Sequence, residues 1–218
     1  MVAKRKVSNP LALAVLSLLT ERPMHPYEMS TTMRERAHEQ SIKLNYGSLY
    51  SVVESLQKHG LIEAQETVRE GRRPERTIYA ITEPGRTEFV DWLSELLAVP
   101  VKEYRQFEAA LALAGALPPD EVVRLLKTRQ IRLKTDVASI QSTIEQAMAD
   151  GLPYLFLVET DFARAMRAAE LAFVDRLVAG IEDGTLADIE LWRRFHETGE
   201  IPSEADWKRA EVKLRSVD

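Results

Sequence analysis

The chain has 218 residues, 45% of them hydrophobic, with a net charge of −5 and no cysteine. That length allows one large domain or two small ones, and the lack of cysteine excludes disulfides and thiolate metal sites, as suits a cytoplasmic protein. No apolar run reaches about 18 residues, so no helical membrane span is expected, and the basic start Met1–Lys6 leads to no small-residue cleavage site, which argues against a secretory leader.

The charge is uneven. Residues 1–86 hold 13 Lys/Arg against 10 Asp/Glu, whereas residues 87–218 hold 16 against 24. A polyanionic partner would therefore meet the front of the chain. Residues 1–9 read as a basic arm carrying Lys4, Arg5 and Lys6. Pro10 suits a first helical turn, and Leu11–Leu19 is apolar almost all round, as in a buried helix. Glu21-Arg22-Pro23 breaks it. Pro26 starts a second helix, Tyr27 to about Ala37, with Tyr27, Met29 and Met33 as expected core contacts.

A third helix spans Asn45–Lys58, with Asn45 as its cap. Tyr46, Leu49, Val52, Val53 and Leu56 gather on one side at helical spacing. The other side carries Gly47, Ser48, Ser51, Ser55 and Lys58, with Glu54 nearer the edge and Tyr50 at the border. An ordinary solvated face would be rich in Glu and Lys; this one presents small hydroxyls, an aromatic ring and a cation. His59-Gly60 closes the helix by a left-handed glycine.

The period then becomes alternating. Leu61–Thr67 and Arg76–Thr82 read as strands joined by a turn, VREGRRPE, that carries Arg69, Arg72 and Arg73. Helices followed by a hairpin with a basic tip make a winged helix-turn-helix. The salt-poor face of the third helix then has a purpose: Ser, Asn, Tyr and Lys can reach phosphates and base edges in a major groove.

Thr82 can cap a fourth helix, with Pro84 in its first turn, running through Phe89, Trp92, Leu93, Leu96 and Leu97 to Val99. Beyond Pro100 the chain reads as all-helical, with segments at Glu103–Leu117, Asp120–Asp150 and Tyr154–Asp183. The middle one has apolar residues at loosely heptad spacing, long enough for pairing between chains. The expected fold is mainly α: a winged helix-turn-helix with a two-stranded wing over 10–99, a helical dimerisation domain over 100–184, and a helical C-terminal extension over 185–218. Leu126, Leu133, Ile140, Ile144 and Phe173 are the expected contacts of a homodimer.

NYGSLYSVVESLQKHGLI followed by EGRRPERTIYAITEPGR resembles the N-terminal domain of the PadR-like transcriptional regulators. The elements that carry the resemblance are Ser48-Leu49-Tyr50, Gly60-Leu61-Ile62, Arg73-Pro74 and Thr82-Glu83-Pro84-Gly85-Arg86, within residues 10–90. The helical text FEAALALAGALPPDEVVRLLKTR and DFARAMRAAE is similar to the C-terminal region of longer members. The chain departs from the family pattern at Pro26, where glycine is usual, and at Ser51, where many members have proline. Residues 185–218 run past the usual end.

The resemblance implies a homodimeric, ligand-responsive repressor that reads a pseudo-palindromic double-stranded DNA operator. The candidate DNA-contacting set is Tyr27, Lys43, Asn45, Gly47, Ser48, Tyr50, Ser51, Lys58, Arg72, Arg73 and Arg76, Tyr27 being carried in both roles. A small-molecule effector could lie among Trp92, Tyr104, Phe107, Tyr154, Phe156, Phe162, Phe173 and Trp192, although such aromatics are more often core. No cofactor is expected: the four histidines lack ligand spacing, and no phosphate loop, nucleophile elbow or dinucleotide fingerprint occurs. Two rivals remain. One is a winged-helix protein-interaction module that does not bind DNA; the other is an enzyme on a helical scaffold, for which no convergent titratable cluster is visible.

Overall fold

The computed structural model describes residues 7, 9–42, 45–68 and 76–199. It divides into two compact units, Met1–Lys102 and Glu103–Asp218. The first unit is built from helices α1 (Pro10–Glu21), α2 (Pro26–Glu35) and α3 (Tyr46–Lys58), strands β1 (Ile62–Val68) and β2 (Arg76–Ile81), and helix α4 (Glu83–Ala98). The second holds α5 (Gln106–Ala112), α6 (Pro119–Ala149), α7 (Val158–Glu182) and α8 (Ile189–Thr198).

Helix α1 is the hub of the first unit. Asn9 caps it by accepting from the Leu11 amide at 2.9 Å, and Pro10 sits in its first turn, where the missing N–H costs nothing. Leu11, Val15, Leu16, Leu18 and Leu19 are all buried, as the apolar run predicted. Met29 and Met33, one turn apart on α2, join the same core, but Tyr27 does not: it is 56% exposed. Two residues from Met29 on a helix, it points away from the inward face. Helix α2 stops at Glu35, because Ala37 takes a left-handed conformation with φ 56°. Arg36 there reaches back to Glu21 at the end of α1, Nη2 to Oε2 at 2.8 Å.

The wing strands pair antiparallel, Ile62 opposite Ile81, with an irregularity between Ala64 and Glu66. Met24 and Tyr79 exchange both backbone hydrogen bonds at 3.0 Å, which ties the segment before α2 to the sheet. Thr82 then fastens α4. Its hydroxyl donates to the Gly60 carbonyl at 2.7 Å and accepts from the Gly85 amide at 3.2 Å, while its own amide donates to the Leu61 carbonyl at 3.1 Å. Gly85 is required by proximity: a Cβ there would stand 2.0 Å from the Leu61 carbonyl oxygen. The Thr82–Arg86 element of the family resemblance is thus a clasp that holds helix against hairpin. Along α4 Trp92 is buried and Phe89 packs on the core, whereas Leu93, Leu96 and Leu97 are exposed.

The second unit centres on α6 and α7, which run antiparallel. Lys127 pairs with Glu182, Gln130 bonds Asp175 at 2.8 Å, and Arg167 pairs with Asp136 at 3.7 Å, so contacts climb α6 as they descend α7. Val122, Leu126, Leu133, Val174, Val178 and Ile181 form the core between them. The expected helix over Glu103–Leu117 is shorter, α5 giving way to a 3-10 turn at Ala114–Ala116. Tyr154–Leu157 is likewise a 3-10 turn before α7.

Residues 185–199, expected only as an extension, belong to this unit. Leu186, Ile189 and Trp192 pack on its core, the Trp192 Nε1 donates to the Leu117 carbonyl at 2.9 Å, and Arg193 donates to the Ile181 carbonyl at 2.9 Å.

The expected dimer contacts need correction. Leu126, Leu133 and Ile144 are buried by their own chain, and Ile140 is half-buried. Heptad spacing marked a seam, but much of that seam faces α7 of the same protomer. Phe173, at 40% exposure, stays at the surface.

Candidate nucleic-acid interface

Helix α3 carries the site because its two sides are so unlike. Leu49, Val52, Val53 and Leu56 are buried, anchoring it to the core of the winged unit. Gly47, Tyr50, Ser51, Glu54 and Lys58 are exposed, and Ser48 and Ser55 are half-exposed. One carboxylate and one cation are all the charge that α3 carries over 13 residues.

The start of α3 can accept a negative group. Asn45 caps it, its Oδ1 accepting from the Ser48 amide at 3.0 Å, and no acidic residue lies in the first turn. The amides of Tyr46 and Gly47 belong to the first turn, where the helix has no carbonyl to offer them. The Ser51 hydroxyl donates to the Gly47 carbonyl at 3.0 Å, which leaves its oxygen free to accept. Nothing in the fold demands glycine at 47: an added Cβ would meet only the Asn45 Oδ1, at 3.5 Å. Gly47 therefore leaves the exposed start of α3 without a side chain, and a partner could approach the backbone there.

The far end of α3 is held as the sequence suggested. Gly60 has φ 71°, the Gly60 amide donates to Gln57 and the Leu61 amide to the Leu56 carbonyl, at 2.9 and 3.0 Å. That pair of bonds satisfies the last carbonyls and turns the chain into β1.

Beside this face lies a groove of about 660 Å³. Val7 and Asn9 form one bank; Asn45, Gly47, Ser48 and Ser51 form the other. Val7 and Asn9 therefore lie along the front of α3. Asn9 and Ser55, both on this groove, were outside the candidate set, although Asn9 before Pro10 carried a readable capping signal.

The remaining candidates divide. Tyr27, Asn45, Gly47, Tyr50, Ser51 and Lys58 are surface residues of the winged unit, and Ser48 is half-exposed. Arg76 is placed by its backbone at the start of β2. Lys43, Arg72 and Arg73, with Lys4–Lys6 of the arm, lie outside the described residues. Among the described residues no cluster of His, Asp and Glu could hold a metal ion, and no helix is long and apolar enough to cross a membrane.

Comparison with known proteins agrees with this geometry. The negative transcriptional regulator PadR of Bacillus subtilis (strain 168) is 23% identical over 146 residues, covering 67% of this chain and 79% of that protein. The structure of Bacillus subtilis PadR in complex with operator DNA superposes with a TM-score of 0.61 at 20% identity, over 78% of this chain and 98% of that one. Its complex with p-coumaric acid gives a TM-score of 0.64 at 18% identity, over 79% and 98%. Residues 15–91, which contain α3, the hairpin and the Thr82–Arg86 clasp, match the transcriptional regulator PadR-like family, so this part of the chain is similar to those regulators.

Proposed function

We propose that this chain is a PadR-like transcriptional regulator that acts in the cytoplasm as a homodimeric repressor on a pseudo-palindromic DNA operator. Each protomer lays the outer face of α3 in a major groove, with the basic turn beyond β1 beside it. The observation that carries this reading is the α3 face itself: small, hydroxyl-bearing and nearly uncharged, opened by a capped helix start with no acid nearby. Asn45, Ser48, Tyr50 and Ser51 reach base edges and phosphates, Tyr27 and Lys58 flank them, and Lys43, Arg72, Arg73 and Arg76 contact the backbone. The relative solved with operator DNA supports the role, and the one solved with p-coumaric acid supports control by a small molecule. An effector acts by favouring one spacing of the two reading helices over another.

Dimerisation runs through the helical unit. Ile131, Phe162 and Phe173 remain 69%, 65% and 40% exposed, and Leu155 and Phe156 after the α6–α7 turn are 76% and 66% exposed. Apolar surface of that kind marks a protein contact. Two linked half-sites then sit about one helical turn apart, roughly 34–36 Å, or a multiple of it.

The test is duplex binding against salt, with sedimentation at the same concentrations. If about six phosphates are neutralised per dimer, log K falls with log salt at a slope near −5. A salt-independent affinity, or a monomer that binds as well as the dimer, would overturn the reading.

A further inference from the structure

Two asparagines open two different helices on one groove. Asn9 caps α1 and Asn45 caps α3, and both line the 660 Å³ groove beside the outer face of α3. Each carboxamide is oriented by the cap it makes. The Asn9 Oδ1 accepts from the Leu11 amide at 2.9 Å, and the Asn45 Oδ1 accepts from the Ser48 amide at 3.0 Å. A backbone amide can only donate, so the oxygen is fixed at each cap and the NH2 group is the end left over. Neither NH2 donates to any described residue.

The rest of the lining has the same bias. The Ser51 hydroxyl spends its hydrogen on the Gly47 carbonyl at 3.0 Å, while those of Ser48 and Ser55 remain free to donate. No lining residue carries a charge, and neither α1 nor α3 has an acid in its first turn. A cation would find too few acceptors in such a groove. A base edge in the major groove presents donors as well as acceptors. A phosphodiester carries one negative charge, and its two unesterified oxygens only accept. Two NH2 groups held by different helices complement those two oxygens.

We propose that this groove holds one phosphodiester of the DNA backbone, gripped by the NH2 groups of Asn9 and Asn45. The inference rests on the DNA-reading role given above and deepens it, because Asn9 adds a bank that α3 alone does not have. Phosphate contacts fix register and orientation, not sequence, so Asn9 is a positioning residue. Helix α1 is the hub of the winged core, and a phosphate held at its cap ties the placement of α3 in the major groove to that core.

The test uses the full chain, the duplex it retains most tightly from a random pool, and an unrelated duplex of equal length. Asn9→Asp keeps a capping oxygen for the Leu11 amide, since Asn and Asp cap about equally well, but puts a carboxylate oxygen where the NH2 stood. It lowers affinity for both duplexes about tenfold or more, while circular dichroism and thermal midpoint stay unchanged. Asn9→Ser also caps but withdraws the donor, and lowers affinity for both about threefold or more. A neutral methylphosphonate is then placed at one backbone position at a time. At one position in each half-site it weakens the unaltered chain more than Asn9→Ser. Either variant binding like the unaltered chain would overturn the proposal. So would a loss confined to the selected duplex, or a methylphosphonate scan that is the same for both proteins. Those results leave the DNA-reading role standing, whereas an unaltered chain that binds no duplex removes that role and this contact together.

Discussion

Replacing Gly85 by alanine tests the clasp between α4 and the hairpin. The added Cβ would stand 2.0 Å from the Leu61 carbonyl oxygen and 2.9 Å from Ile81 Cγ1, more than an ångström short of ordinary contact in the first case. The atom it meets is backbone, held by the Thr82 amide at 3.1 Å, so it cannot swing aside as a side chain could. Helix α4 has to lift, straining the Thr82 bonds to Gly60 and Gly85. Overpacking of this kind costs about 1–3 kcal/mol, and each weakened hydrogen bond about 1 kcal/mol. Alanine's better helix propensity returns about 1 kcal/mol. The net loss is about 3 kcal/mol, which in a domain of this size lowers the midpoint by roughly 12–24 °C. Scanning calorimetry of the full chain reads it, with Gly115→Ala as control, since nothing lies within 4 Å of a Cβ there. A Gly85→Ala midpoint within about 3 °C of the unaltered chain would refute the argument.

Other perturbations separate stability from DNA reading. Gly47→Ala should raise stability by about 0.5–1 kcal/mol in urea titration yet weaken operator binding about tenfold or more, because the new methyl stands on the approach surface; unchanged affinity would show that nothing comes close to Gly47. Ser51→Glu should leave circular dichroism and thermal midpoint intact, since the side chain is exposed, and abolish specific binding by setting a carboxylate against phosphates. Glu21 tests pH dependence: the Arg36 hydrogen bond holds its carboxyl below the ordinary value of 4.5. Its folded pKa is depressed, so the stability it contributes, at most about 1 kcal/mol for so exposed a pair, is present above the unfolded value and lost as pH falls through the folded one. Unfolding of Glu21→Gln should therefore show a deficit at pH 7 that vanishes in acid; a deficit constant with pH would contradict the pairing.

Much of the winged unit was legible because its signals are local. The two faces of α3 follow from side-chain spacing, and Asn45, Gly60 and Thr82 each mark a helix end by the bonds they make. The clasp at Gly85 was visible as a motif but not as a mechanism, since the Leu61 carbonyl that requires it lies far off in sequence. Tyr27 was harder, because one aromatic near a helix start fits either a core or a surface. In the helical unit, apolar stripes showed that α6 and α7 needed partners without saying whether the partner was the same chain. Leu126, Leu133 and Ile144 turned out to be satisfied within the protomer, and Ile131 and Phe162 were left outside. Helix α8 falls within the expected helical extension, but its start was not legible because no side-chain cap marks it: Asp188 opens it with a left-handed backbone at φ 63°.

The central claim is that the outer face of α3 reads DNA sequence. The measurement that tests it most directly is sequencing of the duplexes retained by the full chain from a random pool, in parallel with those retained by Ser48→Ala and Tyr50→Phe. The account predicts an enriched inverted repeat with half-sites about one helical turn apart, and a relaxed preference at particular positions of each half-site in the two variants. A pool that emerges unenriched, or an identical motif from all three proteins, would contradict it.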